Sequence, residues 1–232
     1  MSAQVQPMPA QDAYRLWARW YDETPNPLLS LEQRALAPLL ASATGCDVVD
    51  IGCGTGRWLT KLAAIKVQSL TGVDFSQEML ERATKKVNST TQLIQADCLN
   101  TTLATASSDW LLASFLLSYV GDTEGFAREL SRIARPGAMV LVSDVHPATR
   151  DYGWKRTFHC GEQEIEIQTH KYQISDLERA MGSAGFESMF VRELAFGEEE
   201  KEIFIAAGRP DLFMRVKALP VLVVAGYCRS MG

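Results

Sequence analysis

No run of about twenty apolar residues, the length a membrane helix needs, occurs in this chain. Its longest apolar stretches cover residues 110–120 and 219–227. Cysteine is sparse: Cys46, Cys53, Cys98, Cys160 and Cys228 are widely spaced and odd in number, and none forms a Cys-x-x-Cys pair. That pattern speaks against a disulfide framework and a zinc ribbon. A basic excess is missing as well. The 23 Lys and Arg stand against 28 Asp and Glu, a net charge of −5, whereas bulk nucleic-acid binding needs a basic face. Residues 1–10 carry no Lys or Arg and no apolar core, so no targeting segment is read there. These absences point to a reduced, cytoplasmic protein without a membrane span. What remains is ordinary: 232 residues, 47% apolar and 22% charged. Such a chain is neither disordered nor fibrous, and it is long enough to bury a substantial core as a single domain.

Periodicity divides the chain. Residues 1–10 are polar and Pro-rich and read as loose. Residues 11–23 read as an aromatic-rich helix, 24–27 as a break and 28–41 as a second helix. An alternation follows. Strands are expected at Asp47–Ile51, Ser69–Asp74, 92–96, 109–114 and 138–145, and helices at 57–66, 77–87 and 123–134. Ser76 is placed to cap the second of these helices, and Arg135-Pro136-Gly137 reads as a stop after the third. Apolar strands alternating with helices mean a parallel sheet buried on both faces. Beyond it lie a hairpin around Gly161, a helix opened by the capping box at Ser175, a strand at Phe186–Leu194, an interrupted helical stretch at 198–217 and a last strand at 220–229. The expected fold is α/β: a Rossmann-like, mostly parallel seven-stranded sheet with helices on both faces and its last strand antiparallel.

The strongest signal is Asp50-Ile51-Gly52-Cys53-Gly54-Thr55-Gly56-Arg57, where a buried strand enters a glycine turn and then a helix. It lacks the third glycine of the dinucleotide fingerprint, since Arg57 stands there, and no Gly-Lys-Ser/Thr follows as in a phosphate loop. A carboxylate at the mouth of such a loop repels a pyrophosphate and suits an ammonium or a sulfonium. With these residues the chain resembles the class I S-adenosylmethionine-dependent methyltransferases, over roughly residues 14–196. The resemblance implies that Asp50, Gly52, Cys53, Gly54 and Gly56 hold the methionine part of S-adenosyl-L-methionine. It implies that Asp74 takes the ribose diol, that Phe75 and Met79 pack on the adenine, and that Asp97 and Cys98 meet the adenine edge. Tyr21 would lie over the cofactor, and Ser114 would face the reacting centre.

The branch follows from what comes after the fourth strand. Ser114-Phe115-Leu116-Leu117 replaces the Pro-Pro-aromatic motif of enzymes that methylate bases and amides. The chain is similar at group level to small-molecule methyltransferases, among them quinone C-methyltransferases and the biotin-pathway malonyl-carrier O-methyltransferase. That implies O- or C-methylation of a small acceptor, apolar or aromatic, and no nucleic-acid partner. The expected layout is one domain over 1–232, with a helical cap at 11–42, a cofactor-binding core at 46–145, and lid insertions at 147–172 and 195–219. Trp17, Trp20 and Trp154 with Phe158 are candidates for the acceptor cover. Asp144 and His146 have no spaced third ligand, so no metal is expected. His146, at the end of the fifth strand, is the candidate general base, with Tyr21 and then Tyr119 beside it. His159 and His170 read as surface residues, and Lys155-Arg156 as a solvated basic pair that could face an acidic substrate. Two alternatives stay open. One is a protein of this fold that binds the cofactor without methyl transfer (a pericyclase, decarboxylase or regulatory partner); the other is a nicotinamide-dependent oxidoreductase.

Overall fold

The computed structural model describes residues 7–23 and 25–231. The opening residues 1–6 and Thr24, part of the expected loose start and of the expected break, lie outside them. Helix α1 (Ala10–Trp17) and helix α2 (Pro27–Leu36) come first. Strand and helix then alternate through β1 (Asp47–Ile51), α3 (Arg57–Leu62), β2 (Ser69–Asp74), α4 (Gln77–Thr84) and β3 (Gln92–Gln95). The alternation continues with β4 (Ser108–Ser114), α5 (Thr123–Ile133) and β5 (Ala134–Val145). A hairpin of β6 (Thr157–Cys160) and β7 (Gln163–Glu166) follows, then α6 (Ile174–Ser183), β8 (Phe186–Leu194), α7 (Glu198–Ala206), α8 (Pro210–Val216) and β9 (Leu222–Arg229).

The sheet runs β3-β2-β1-β4-β5-β9-β8. Strands β1 to β5 pair in parallel, and β9 lies antiparallel to both β5 and β8. The chain leaves β1 in one direction for β2 and β3, then returns to place β4 on its other side. That reversal opens a crevice outside the carboxyl ends of β1 and β4, the place where open α/β sheets take ligands. The strands are apolar on both faces because both are covered. Ile51, Val73, Leu111 and Val140 pack with Phe126 and Leu130 of α5 on one face. Val48, Leu70, Trp110 and Leu112 pack with Leu31, Trp58 and Leu59 on the other.

Local chemistry sets several boundaries. The Ser76 hydroxyl accepts from the Met79 N–H at 3.3 Å and opens α4, as its position in the sequence implies. Asn26 caps α2 by accepting from the Leu28 N–H at 2.9 Å, ahead of Pro27. The second helix is shorter than its apolar spacing suggests: α2 stops at Leu36 and a 3-10 segment, Ala37–Ala43, carries the chain on. Pro38 lacks the N–H that a continuing α-helix would need. Likewise α1 ends at Trp17 rather than at 23, and residues 18–23 turn so that Asp22 can reach the glycine loop.

Two expectations about punctuation are corrected. Arg135-Pro136-Gly137 does not separate helix from strand, because β5 already begins at Ala134. Ala134 pairs with Ser108 and Met139 with Trp110, so residues 135–138 bulge against Asp109. A bulge keeps the N–H-less Pro136 out of the ladder. The capping box at Ser175 is not formed either. The helix opens at Ile174 with Gln173 in the cap position and no side-chain cap, which leaves Ser175 inside the first turn.

Candidate active site

Three glycines of the loop after β1 sit in the left-handed region, with φ of 71° at Gly52, 54° at Gly54 and 82° at Gly56. They do different things. A Cβ at Gly52 would come within 3.0 Å of Leu116, and one at Gly56 within 3.2 Å of Ala83, so those two serve close packing. A Cβ at Gly54 would meet nothing within 4 Å. Its bare Cα faces open space, and its N–H donates to Asp74 Oδ2 at 2.8 Å. The Ser76 N–H donates to Asp74 Oδ1 at 2.9 Å, so the end of β2 is bound to the loop beside it. Burial pushes the Asp74 carboxyl up to about 6 against the pull of those N–H groups.

Asp50 is the electrostatic anomaly. Its carboxyl is 1% exposed, and neither oxygen has a hydrogen-bond partner among the described residues. Burial pushes it up to about 8; Arg57 pulls it down, while Glu32 and Asp74 push it further up. A buried carboxylate without partners costs free energy. A cationic ligand at the loop would relieve that cost.

A crevice runs over the loop as three neighbouring cavities that share lining residues. Its first part, about 520 Å³, is lined by Gly52, Asp74, Phe75, Asp97, Cys98 and Leu116. It narrows to a throat of about 50 Å³ where Gly54, Met79, Ser114, Tyr21 and Tyr119 meet. Beyond the throat, and sharing Tyr14, Tyr21 and Phe115 with it, lies a cavity of about 440 Å³ walled by Trp17, Phe158 and Arg156. Most candidate site residues thus come together along one path. Asp50, Cys53 and Gly56 stand behind the loop rather than on the crevice wall. Burial holds the Cys53 thiol high, and it pushes Cys98 up to about 12 with Asp97 adding to the effect.

The roof joins two distant pieces of chain. Trp17 of α1 stacks on Phe158 of β6 at 5.0 Å and meets Tyr21 edge-on at 4.8 Å, while Tyr14 meets Tyr119 edge-on at 5.3 Å. Asp22 latches this roof to the loop. It accepts from the Thr55 hydroxyl at 2.8 Å and pairs with Lys86 at 2.5 Å. The adjacent Tyr21-Asp22 pair therefore splits its work, with the ring on the throat and the carboxylate on the loop. The other expected lid, 195–219, is elsewhere: none of its residues lines the crevice among the described residues. Helices α7 and α8 instead pack Phe204, Phe213 and Val216 into the core beside α2, and Arg34 ties α2 to Glu200 at 3.0 Å.

Two candidates are occupied by other work. The Ser114 hydroxyl lies at the throat but donates to Glu32 at 2.6 Å and accepts from Arg57 and Trp58 at 3.1 and 3.2 Å. His146 does follow β5, yet its Nδ1 accepts from the Ala148 N–H at 3.2 Å. Its Nε2 therefore carries the proton and donates to Glu193 at 2.7 Å. An imidazole so engaged offers no free lone pair to a substrate proton in this arrangement. His146 and Asp144 do not converge on one point either, since Asp144 turns to Ser118 and Arg156.

Sequence reasoning missed Glu32 and Phe115. Glu32 is fully buried. It accepts from Ser114, Ser143, Trp58 and Arg57, joining α2 to the loop helix and to the ends of β4 and β5. Nothing in its spacing separates it from the neighbouring polar residues Ser30, Gln33 and Arg34. Phe115 holds φ at 50°, a conformation of order 1–3 kcal/mol above ordinary backbone for a bulky residue. It lines both throat and cavity. Only the structure reveals that strain.

Comparison with known proteins agrees with this geometry. The family model described as a methyltransferase domain matches residues 49–142, the stretch from β1 into β5. The chain is 34% identical over 171 residues to a demethylmenaquinone methyltransferase of Roseiflexus sp. (strain RS-1), covering 66% of this chain and 71% of that one. It is 31% identical over 205 residues to a demethylmenaquinone methyltransferase of Staphylococcus epidermidis, covering 76% and 84%. A solved S-adenosylmethionine-dependent methyltransferase from Mesorhizobium loti shares the fold with a TM-score of 0.66 at 21% identity, covering 86% of this chain and 100% of that one. The chain belongs to the class I S-adenosylmethionine-dependent methyltransferases and is an enzyme of their small-molecule branch.

Proposed function

We propose that this enzyme methylates an oxygen or carbon atom of a small apolar or aromatic acceptor, without a metal, in the cavity under α1 and β6. The observation that carries the reading is the orphaned Asp50 carboxyl behind a glycine whose Cα faces open space. That pair fits a ligand with an ammonium and a sulfonium. When bound, S-adenosylmethionine supplies an electrophilic methyl group on a positively charged sulfur. Gly52 and Gly54 with Asp50 would hold its methionine part, with Gly56 packed on Ala83 behind them, and Asp74 would hold its ribose. Phe75, Met79, Asp97 and Cys98 would hold its adenine. Both Asp74 oxygens already accept one N–H each and retain lone pairs for a diol.

The chain's own contribution is positioning and exclusion of water. Tyr21 acts as a donor at the throat rather than as a base, because burial pushes its hydroxyl up to about 12. Ser114 positions the loop helix through Glu32 and Arg57. The aromatic walls, Trp17 against Phe158, favour a flat apolar acceptor. The chain is read as one domain in which 147–172 roofs the site and 195–219 buttresses α2. The described residues contain no helix long and apolar enough to cross a membrane. The cysteines are free, which supports a cytoplasmic setting. The direct test is transfer of a labelled methyl group to a panel of phenols, quinols, carboxylates and thiols in excess chelator. Transfer to none of them, or transfer only after magnesium is added back, would overturn the reading.

Asp50 makes the cofactor assignment measurable by pH. In the ligand-free protein its carboxyl titrates at about 8, against an ordinary value near 4. Between those values the folded protein keeps a proton that the unfolded chain has lost, so stability of the ligand-free protein falls as pH rises through that window. Affinity for S-adenosylhomocysteine rises over the same range, because the ammonium needs the ionised carboxylate, and calorimetry registers proton release. Asp50→Asn is expected to stabilise the ligand-free protein at the upper end of the window by about 1–3 kcal/mol. It should also weaken S-adenosylhomocysteine binding about 10- to 100-fold. Wild-type affinity in this variant would remove Asp50 from the site.

His146→Ala distinguishes a cap from a base. The residue caps the 3-10 segment Pro147–Arg150, so its loss is expected to cost about 1 kcal/mol of stability. The turnover rate should stay within a few-fold of wild type, not fall by the roughly 10²–10⁴ of a lost general base. Steady-state rates at saturating acceptor settle the matter, and a hundredfold drop would restore His146 as the base.

A further inference from the structure

We infer that Arg156 receives an oxyanion of the acceptor, a carboxylate or an ionised phenol, in the cavity of about 440 Å³ beyond the throat; this rests on the methyltransferase reading and names its substrate class. The sequence suggests a solvated basic pair at Lys155-Arg156, and the structure separates the two. Lys155 is 63% exposed and pairs with Glu166 at 2.5 Å. Arg156 turns inward, 23% exposed. Its guanidinium carbon stands 5.3 Å from the centre of the Phe115 ring and 5.8 Å from that of Tyr119. Its Nε is buried and has no hydrogen-bond partner among the described residues.

The nearest acid, Asp144, does not satisfy it. Asp144 is fully buried and 3.5 Å from the guanidinium. Its oxygens already accept from the Ser118 N–H at 2.6 Å, the Ser118 hydroxyl at 3.2 Å and the Val145 N–H at 2.6 Å. Asp144 therefore orients the arginine while leaving donors of the fork unused. Among the described residues no Asp or Glu lines this cavity; its walls are aromatic and aliphatic save for Asn26, Lys155, Arg156, Thr157 and His159. An oxyanion entering it meets one sign of charge, and charge-assisted hydrogen bonds are strong. The planar guanidinium suits a carboxylate with two bonds and a phenolate with one. Trp17 and Phe158, stacked on each other, offer an apolar wall to the rest of such a molecule.

Calorimetry on the full chain, with and without saturating S-adenosylhomocysteine, tests this with three probes at neutral pH. These are 1-naphthoate, ionised 2,4-dinitro-1-naphthol and the neutral 1-naphthamide. At least one anion is expected to bind about tenfold or more tightly than the amide, and the preferred anion tells carboxylate from phenolate. Arg156→Gln should erase that preference with S-adenosylhomocysteine affinity unchanged, which shows that the variant is folded. Arg156→Lys should restore part of it. Equal binding of the three probes, or a preference that survives Arg156→Gln, overturns the inference. Failure of the wild type to bind S-adenosylhomocysteine strikes the methyltransferase reading instead, since the anion preference is measured without it as well.

Discussion

Gly54→Val is expected to lower S-adenosylhomocysteine affinity by more than about a hundredfold while leaving the chain folded. Two facts separate the effects. The backbone at Gly54 holds φ at 54°, so a β-branched residue costs about 1–2 kcal/mol there. That is a tolerable loss for a domain with two large core clusters. A Cβ at the same position meets no protein atom within 4 Å, so the new methyl groups enter the throat instead of clashing with the fold. The volume they take is the volume a ligand would need. Calorimetry with S-adenosylhomocysteine and a thermal scan read the two effects independently. Gly54→Ala should fall between the two. A valine variant that binds like wild type would show that the loop merely turns the chain.

Glu32→Ala is expected to cost about 3–5 kcal/mol of stability, the range for breaking a buried ion pair from one side. In a chain of this size that corresponds to a melting temperature lower by roughly 6–20 °C. Arg57, only 21% exposed, would keep its charge and lose its partner, and the hydroxyls of Ser114 and Ser143 would lose their common acceptor. The Glu32→Ala/Arg57→Ala double variant should be less destabilised than the two single changes added together, because the orphaned charge goes with it. In the double variant cofactor affinity should fall, since the Arg57 charge that lowers the Asp50 carboxyl at the start of the loop helix is gone. Strict additivity in denaturation would show that Glu32 and Arg57 are not coupled.

Both changes act on the junction between the helical cap and the sheet. The cap is bound there twice, by Glu32 beneath the loop and by Asp22 on Thr55 above it. The roof over the acceptor cavity is thereby held to the element that would carry the cofactor. The Arg156 side chain forms part of the far wall of that cavity.

What the sequence determined by itself is whatever depends on neighbours along the chain. The apolar runs at Asp47–Ile51 and Ser69–Asp74 mark strands covered on both faces. The glycine turn with Asp50 two residues ahead, Asp74 at the next strand end and Ser76 as a cap identify the loop, the family and the side of the sheet that carries the site. The turn, the cap and the strands are local facts of backbone freedom, capping and periodicity, and the family follows from the resemblance of these residues to a known motif. The tertiary structure decided what depends on which side chain meets which. Ser175 looks like a cap, yet the helix begins one residue earlier. Residues 135–137 look like a stop, yet they bulge inside a strand because Ser108 pairs with Ala134. His146 follows β5 as its place in the sequence implies, but its Nε2–H donates to Glu193, 47 residues further on. Glu32 and Arg156 carry no local signature at all. Their roles come from long-range pairing in a low-dielectric interior, where a charge is defined by the partner it has or lacks, and sequence spacing does not encode that partner.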